Sequence, residues 1–250
     1  MRSLAVLSFL LSSPLFALVN IAPVDVGSQP GISGNVAGSL SSKSGNTEKD
    51  DYSLALRLQY DQSDDYVVWG TLTYDYGTSN GTKNEDRTYA HVRYIRTLDH
   101  NDWCGELFVQ SEQDAFKDIK SRSLAGAGVR WRFFNSEDWG KGYAGIGGFH
   151  EEIDYTHPEL NPDEQNGRLN SYIAYTQKFY NASKLSYIGY FQPQFEEVSD
   201  YVTSQTLELL VPIYGKLHLS LTANYLYDAR PPMDVHKKDT AFITSLLWAF

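Results

Sequence analysis

The chain has 250 residues with 31 acidic and 21 basic side chains, a formal net charge of −10, which removes the electrostatic basis for binding nucleic acid. Its single cysteine, Cys104, cannot form an internal disulfide. Beyond the N-terminus no run approaches the roughly 18 to 20 consecutive apolar residues of a membrane helix, so membrane residence would have to be through strands or at the surface.

The opening MRSLAVLSFLLSSPLFALVN places one arginine before an apolar run from Leu4 to Val19, the layout of a secretory signal peptide. Residues 1–22 are assigned to it, with Ala17 and Ala22 as the small residues near an unfixed cleavage point. From there the chain reads as runs of period two bounded by polar turns. GISGNVAGSLS puts Ile32, Val36 and Leu40 on one face. DYSLALRLQY sets Tyr52, Leu54, Leu56, Leu58 and Tyr60 against Ser53, Ala55, Arg57 and Gln59. DYVVWGTLTYDYG sets Leu72, Tyr74 and Tyr76 against Trp69, Thr71, Thr73 and Asp75, and TYAHVRYIRTL sets Ala90, Val92 and Tyr94 against His91 and Arg93.

Further along, WCGELFVQ opposes Trp103, Leu107 and Val109 to Glu106 and Gln110, and SLAGAGVRWRFF opposes Val129, Trp131 and Phe133 to Arg130 and Arg132. Runs near 142–151, 168–179 and 184–195 alternate less cleanly. SQTLELLVPI sets Leu207 and Leu209 against Glu208, KLHLSLTANYLYD sets Leu219, Leu221 and Tyr225 against Ser220, Thr222 and Asn224, and the final run covers 239–250. That makes twelve strands.

A soluble sandwich also alternates; the connections decide. They fall near 42–50, 61–65, 77–87, 98–102, 112–121, 135–140, 152–167, 180–183, 196–200, 212–215 and 228–238, long and short by turns, with 196–200 the exception. Long polar loops at one end and tight turns at the other, with an uncharged face edged by Tyr, Trp and Phe, describe an outer-membrane barrel. The predicted fold is therefore an all-β, transmembrane, antiparallel up-and-down β-barrel of about twelve strands with both termini periplasmic. Residues 23–30 form a short periplasmic N-terminal segment and 31–250 the barrel. If LDHND is a tight hairpin, Arg93 lies opposite Glu106, His91 opposite Phe108 and Arg96 opposite Trp103.

Two stretches carry a family resemblance: GSLSSKSGNTEKDDYSLALRLQY, a strand, a Ser-Gly-Asn-Thr hairpin and a second strand, and NDWCGELFVQSEQDAFKDIKSRSLAGAGVRWRF, an aromatic strand, an acidic loop and a Gly-rich strand with Arg. From Gly34 to about Phe134 the chain resembles the salt-induced outer-membrane proteins, a bacterial family without an assigned function. The resemblance implies a barrel and supplies no catalytic residue.

The charged residues on the inner face, Arg57, Arg93, Glu106, Arg130, Arg132 and Glu208, form the candidate site, either an anion-selective constriction or an ion-paired filling. The alternating Phe242, Leu246, Trp248 and Phe250 resemble the terminal signal read by the barrel assembly machinery. His91, His150 and His157 with Glu151 and Glu152 raise a hydrolase, but no Ser or Asp stands at a distinctive spacing, and the acidic loop from Glu151 to Gln165 lacks calcium-loop spacing. The expected function is a non-enzymatic barrel of a Gram-negative outer membrane, envelope-structural or a narrow small-solute pore. A surface-loop binding or adhesion protein is the alternative, and a lipid or peptide hydrolase a third. No cofactor is called for. The expected partners are outer-membrane lipid, lipopolysaccharide and the assembly machinery, with no nucleic acid; the oligomeric state is not legible.

Overall fold

The computed structural model describes residues 24, 26–43, 49–63, 65–99 and 102–250. The signal peptide assigned to 1–22 and the Ser44–Thr47 hairpin lie outside them. The described residues form twelve strands: β1 (Gly31–Lys43), β2 (Lys49–Gln62), β3 (Tyr66–Ser79), β4 (Thr82–Asp99), β5 (Trp103–Asp114), β6 (Ile119–Ser136), β7 (Gly140–Tyr155), β8 (Glu164–Lys178), β9 (Lys184–Pro193), β10 (Tyr201–Tyr214), β11 (Leu217–Asp228) and β12 (Lys238–Ala249). Each pairs antiparallel with its sequence neighbours, and β1 pairs with β12, so the sheet closes into a barrel. Closure removes the free edges that an open sheet would expose.

Because side chains alternate across a strand, each strand contributes one file to the inside and one to the outside. Outside stand Leu54, Leu58, Leu72, Val92, Leu107, Val129, Ile173, Leu207 and Leu221, all exposed. Aromatic residues edge this belt. At the end where the chain starts and finishes, called here the terminal end, Tyr60, Tyr66 and Tyr94 stack in sequence, as do Trp103, Trp131 and Phe133. At the opposite, loop end Phe191, Tyr201 and Tyr227 form a second row. On β2 the rows are marked by Tyr52 and Tyr60, about 27 Å apart along the strand and about 20 Å once tilted, close to the height of an outer-membrane apolar band.

Three expectations need correction. The segment 77–87 is not a long loop: β3 and β4 run on to a two-residue turn at Asn80–Gly81, both with positive φ (49° and 75°), the geometry of a tight hairpin. The link after β9 is not short, spanning 194–200. With that change every connection at the terminal end is five residues or fewer. The β4–β5 register is also shifted by two: Arg93 lies opposite Phe108, His91 opposite Gln110 and Arg96 opposite Gly105. The chain turns later than LDHND implies: Asp99 still pairs with Trp103, three positions out of the expected register, and a one-residue bulge at Leu98 takes back one of them. A shift of two keeps every side chain on its face, so the inner file is preserved.

The segment read as 23–30 turns in at the terminal end. Asp61 on β2 accepts hydrogen bonds from the Gly27 and Gln29 backbone N–H groups, both 2.9 Å, and Val24 is buried among the core residues, which include Val67, Trp69 and Ile95.

The face assignment is directly testable. Leu56 pairs with Val36 and Leu72 in the belt, so Leu56→Arg is expected to lower the refolding free energy in lipid vesicles by about 2–4 kcal/mol. Gln59→Arg, on the inner file, is expected to cost much less; equal losses in urea titrations would mean the faces are reversed.

Candidate functional site in the barrel lumen

The β4 to β8 side of the lumen is filled by large side chains. Phe108 lies against Phe149, and His91 sits between Trp69 and Phe108. Two glycines make this possible. A Cβ on Gly126 would lie 2.4 Å from the Phe108 ring, and one on Gly145 would lie 2.1 Å from the Tyr172 ring, so each ring occupies the space a side chain would need.

Three ionic groups cross this filling. Arg87 donates from Nε to Glu112 (2.8 Å) and from Nη1 to Asp75 (3.4 Å), while the Ser53 hydroxyl donates to Asp75 (2.5 Å). Glu106 lies between Arg93 (3.2 Å) and Arg130 (3.7 Å) and accepts a further bond from the Tyr172 hydroxyl (2.8 Å). Glu151 takes Arg122 and Arg168 together, and Arg168 reaches on to Asp200 at 3.0 Å. Five arginines thus meet five carboxylates, and all but Arg122 and Asp200 are at most 6 % exposed. Balance is what allows such burial, since a buried charge without a partner costs several kcal/mol. The arginines also stack: Arg93 lies 4.8 Å from the centre of the Phe108 ring and Arg130 4.6 Å from that of Tyr143.

Of the six predicted lumen charges, Arg93, Glu106 and Arg130 therefore come together, although Arg93 reaches Glu106 diagonally rather than straight across. Arg132 stands apart near the terminal end, paired with Asp102 at 3.2 Å. Arg57 and Glu208 lie on the other side of the lumen. Sequence reasoning missed Arg87, Glu112, Arg122 and Arg168 because their segments were read as loops or as strands of indefinite face. Residue parity held the signal, for Glu85, Arg87, Tyr89, His91 and Arg93 are one unbroken buried file.

The remaining side, from β1 to β3 and β9 to β12, carries small hydroxyl side chains. They leave a cavity of about 220 Å³ lined among others by Arg57, Trp69, Thr71, Tyr89, Thr206 and Glu208. Arg57 lies 4.4 Å from the Trp69 ring centre and, unlike the other inner arginines, joins no ion pair among the described residues. Glu208 accepts a hydrogen bond from the Ser220 hydroxyl (2.7 Å).

Over the loop end the connections bind one another. Asp118, left-handed at φ 61°, accepts from Asn161 Nδ2 (2.7 Å) and bonds His157 Nδ1 (2.6 Å), while Asn161 Oδ1 accepts the Met233 N–H (2.7 Å). Arg230 pairs with Glu197. The three histidines are not gathered into one site: His91 is inside the lumen, His150 faces outward beside Glu152, and His157 belongs to this loop clasp. The terminal residues Phe242, Leu246, Trp248 and Phe250 face outward. Phe250 exchanges backbone hydrogen bonds with Gly34 (2.9 and 3.1 Å), and its ring lies 2.9 Å from where a Gly34 Cβ would stand.

The profile of a protein family of unknown function, DUF481, matches residues 36–250. None of the curated proteins matches the chain. Among solved structures, the COG4313 outer membrane channel from Pseudomonas putida F1 is similar with a TM-score of 0.55 at 10 % identity, covering 92 % of this chain and 100 % of that one. The KdgM porin gives a TM-score of 0.46 at 9 % identity, covering 87 % and 99 %. At 10 % identity the likeness to the channel is one of fold, the outer-membrane barrel.

Two outcomes are expected of this arrangement. Glu106→Gln leaves Arg93 and Arg130 without their shared carboxylate and is expected to destabilise the refolded barrel by about 3–5 kcal/mol in urea titrations. In the clasp, the hydrogen bond to Asp118 raises His157 above the ordinary imidazole range, and Asn161 first, then His157, holds Asp118 below the ordinary carboxylate range. The raised histidine contributes fully below about pH 6.5 and is lost as pH rises through its folded value; the depressed Asp118 contributes above about pH 3.9 and is lost as pH falls through its own. Amide exchange over 156–163 is therefore expected to be slowest relative to its intrinsic rate between about pH 4 and 6.5, with His157→Ala removing the alkaline arm only.

Proposed function

We propose that this chain, which belongs to the DUF481 family, is a non-enzymatic integral barrel of a bacterial outer membrane that serves as a narrow conduit for small solutes. The observation that carries the reading is the division of the lumen: a charge-balanced filling occupies the β4 to β8 side, and the opposite side holds a hydroxyl-lined cavity of about 220 Å³ containing Arg57, which joins no ion pair among the described residues. In this reading a signal peptide exports the chain, both termini face the periplasm and the bound loops face outward. Outer-membrane lipid and lipopolysaccharide surround the belt, and the assembly machinery reads Phe242, Leu246, Trp248 and Phe250.

A second reading, an envelope-structural barrel that passes nothing, is favoured by the closure of both ends: Val24 sits in the terminal mouth and the clasped loops cover the other. Planar-bilayer recording separates the two. The conduit reading expects small, steady unitary currents that grow when residues 230–236 are deleted and shift toward cations in Arg57→Glu. A silent barrel in both forms would leave the structural reading standing.

A further inference from the structure

The barrel closes unevenly. In the register that sets Asn35 against Ala249, residues Gly34–Lys43 of β1 face Phe250–Ala241 of β12. Pairing is made only at Asn35↔Ala249, Val36↔Trp248, Ala37↔Leu247 and Gly38↔Leu246, with the Gly34–Phe250 bonds below them. From Ser39 to Lys43 the inner edge of β1 is paired with β2, but its seam edge is not paired with β12. Every other strand pair runs for at least eight consecutive or bulged positions.

The outer groove and the lumen cavity share Ser39 and Ser53, on the β1 and β2 side of the gap. On the outside a groove of about 420 Å³ is lined by Leu40, Tyr52, Leu54 and Tyr74 from the belt together with Ser39 and Ser53 from the inner file. On the inside Ala37, Ser39, Ile243, Ser245 and Leu247, all from the two seam strands, wall the lumen cavity. Leu40 and Phe242, flanking the gap, are 80 % and 64 % exposed.

We propose that the unzipped half of the β1–β12 seam is a lateral portal. Through it a single-chain amphiphile with a small zwitterionic head seats that head in the lumen cavity and leaves its acyl chain on the outer groove. The proposal rests on the reading of the outer belt as lipid-facing. Leu40 pairs with Tyr52, so the unpaired edge begins at the loop-end aromatic row, where hydrocarbon gives way to head groups; the linkage between head and chain of an amphiphile sits at that level and carries the hydrogen-bonding groups that hydrocarbon cannot offer an unpaired strand edge. The cavity, below the roughly 300 Å³ of ordinary ligand pockets, takes a head group and not a whole lipid. Its charges set the head: Arg57 joins no ion pair among the described residues, and Glu208 lines the same space. An anion alone meets Glu208 and a cation alone meets Arg57, each with like charge, whereas a head bearing both signs partners both.

The test uses the refolded mature barrel in detergent and native mass spectrometry, with lysophosphatidylethanolamine, a monoacylglycerol of the same chain and free phosphoethanolamine as probes. Ser39 and Ser245, which face each other in the continued register, are replaced by cysteines in a Cys104→Ala background and joined by a short bismaleimide. Ser39→Trp fills the gap without cross-linking. The lysolipid is expected to bind saturably at one per barrel, and Arg57→Gln and Glu208→Gln each to weaken it about tenfold, as the loss of a charge-assisted bond implies, without weakening the monoacylglycerol. Joining the seam or Ser39→Trp is expected to abolish the adduct while heat-modifiable gel mobility stays that of the folded barrel. Retention of lysolipid by the joined and tryptophan forms overturns the portal, as does the absence of any adduct. Free phosphoethanolamine binding as well as the lysolipid, in joined and unjoined protein alike, also overturns it, because the head would then enter through a mouth of the barrel. Bilayer currents do not pass the seam and are expected to be equal in joined and unjoined protein, so loss of the portal and loss of the conduit are told apart.

Discussion

In hydrocarbon a backbone N–H or C=O without a partner costs several kcal/mol, and no water is present to supply one. The architecture follows from that constraint. Twelve strands pair in sequence order and close on themselves because nothing less satisfies their backbones. Once the sheet is closed, alternation forces half of all strand residues into a confined interior, where a different problem arises: the inner files carry arginines and carboxylates that have lost their water. The barrel answers by balancing them, Glu106 between two arginines and Arg87 between two carboxylates, so that charge in excess at one group is offset at the next.

Among the described residues, pairing between neighbouring strands lapses over a long facing stretch only at the β1–β12 seam, level with the Tyr52 row. Every neighbouring pair other than the seam zips along most of its facing length, and the gap at β1 and β12 lies where a lumen cavity and an outer groove approach each other. The division of labour inside follows the sequence closely. Strands β4 to β8 bring Phe108, Phe149 and Tyr172 with glycines that let the rings approach the backbone, while β10 to β12 bring Thr206, Ser220 and Ser245, which leave space.

Much of this was legible from residues alone. Period-two alternation gave the strands, their number and the faces of the cleanly alternating ones, because burial on one side and apolar exposure on the other act on every position of a strand. Hydropathy misled where strands continue beyond the belt: Glu85 and Arg87 read as loop although Asn80–Gly81 is a strong hairpin signal. The register of β4 against β5 failed on a turn that comes later than LDHND suggests and on one bulged residue, Leu98, which no pattern announces. The ionic filling could be seen only in part, since Arg168 and Glu151 meet across strands whose alternation is blurred by Gly145, Gly147 and Gly148. The loop clasp joins Asp118, Asn161 and Met233 across more than a hundred residues, and contacts of that kind follow from the closed shape and not from local sequence.

The bonds between Gly34 and Phe250 join one end of the barrel to the final residue of the chain. The sheet is therefore a ring whose clasp is made last, after every intervening strand has been delivered. A nascent or shortened chain has no native way to complete itself; it remains a curled ribbon with two raw edges, and edges of that kind recruit other strands. Closure also depends on the longest loop in the molecule, the kind of contact that forms late and slowly. Until β12 meets β1, every other strand pair can be in place and the barrel still stand open.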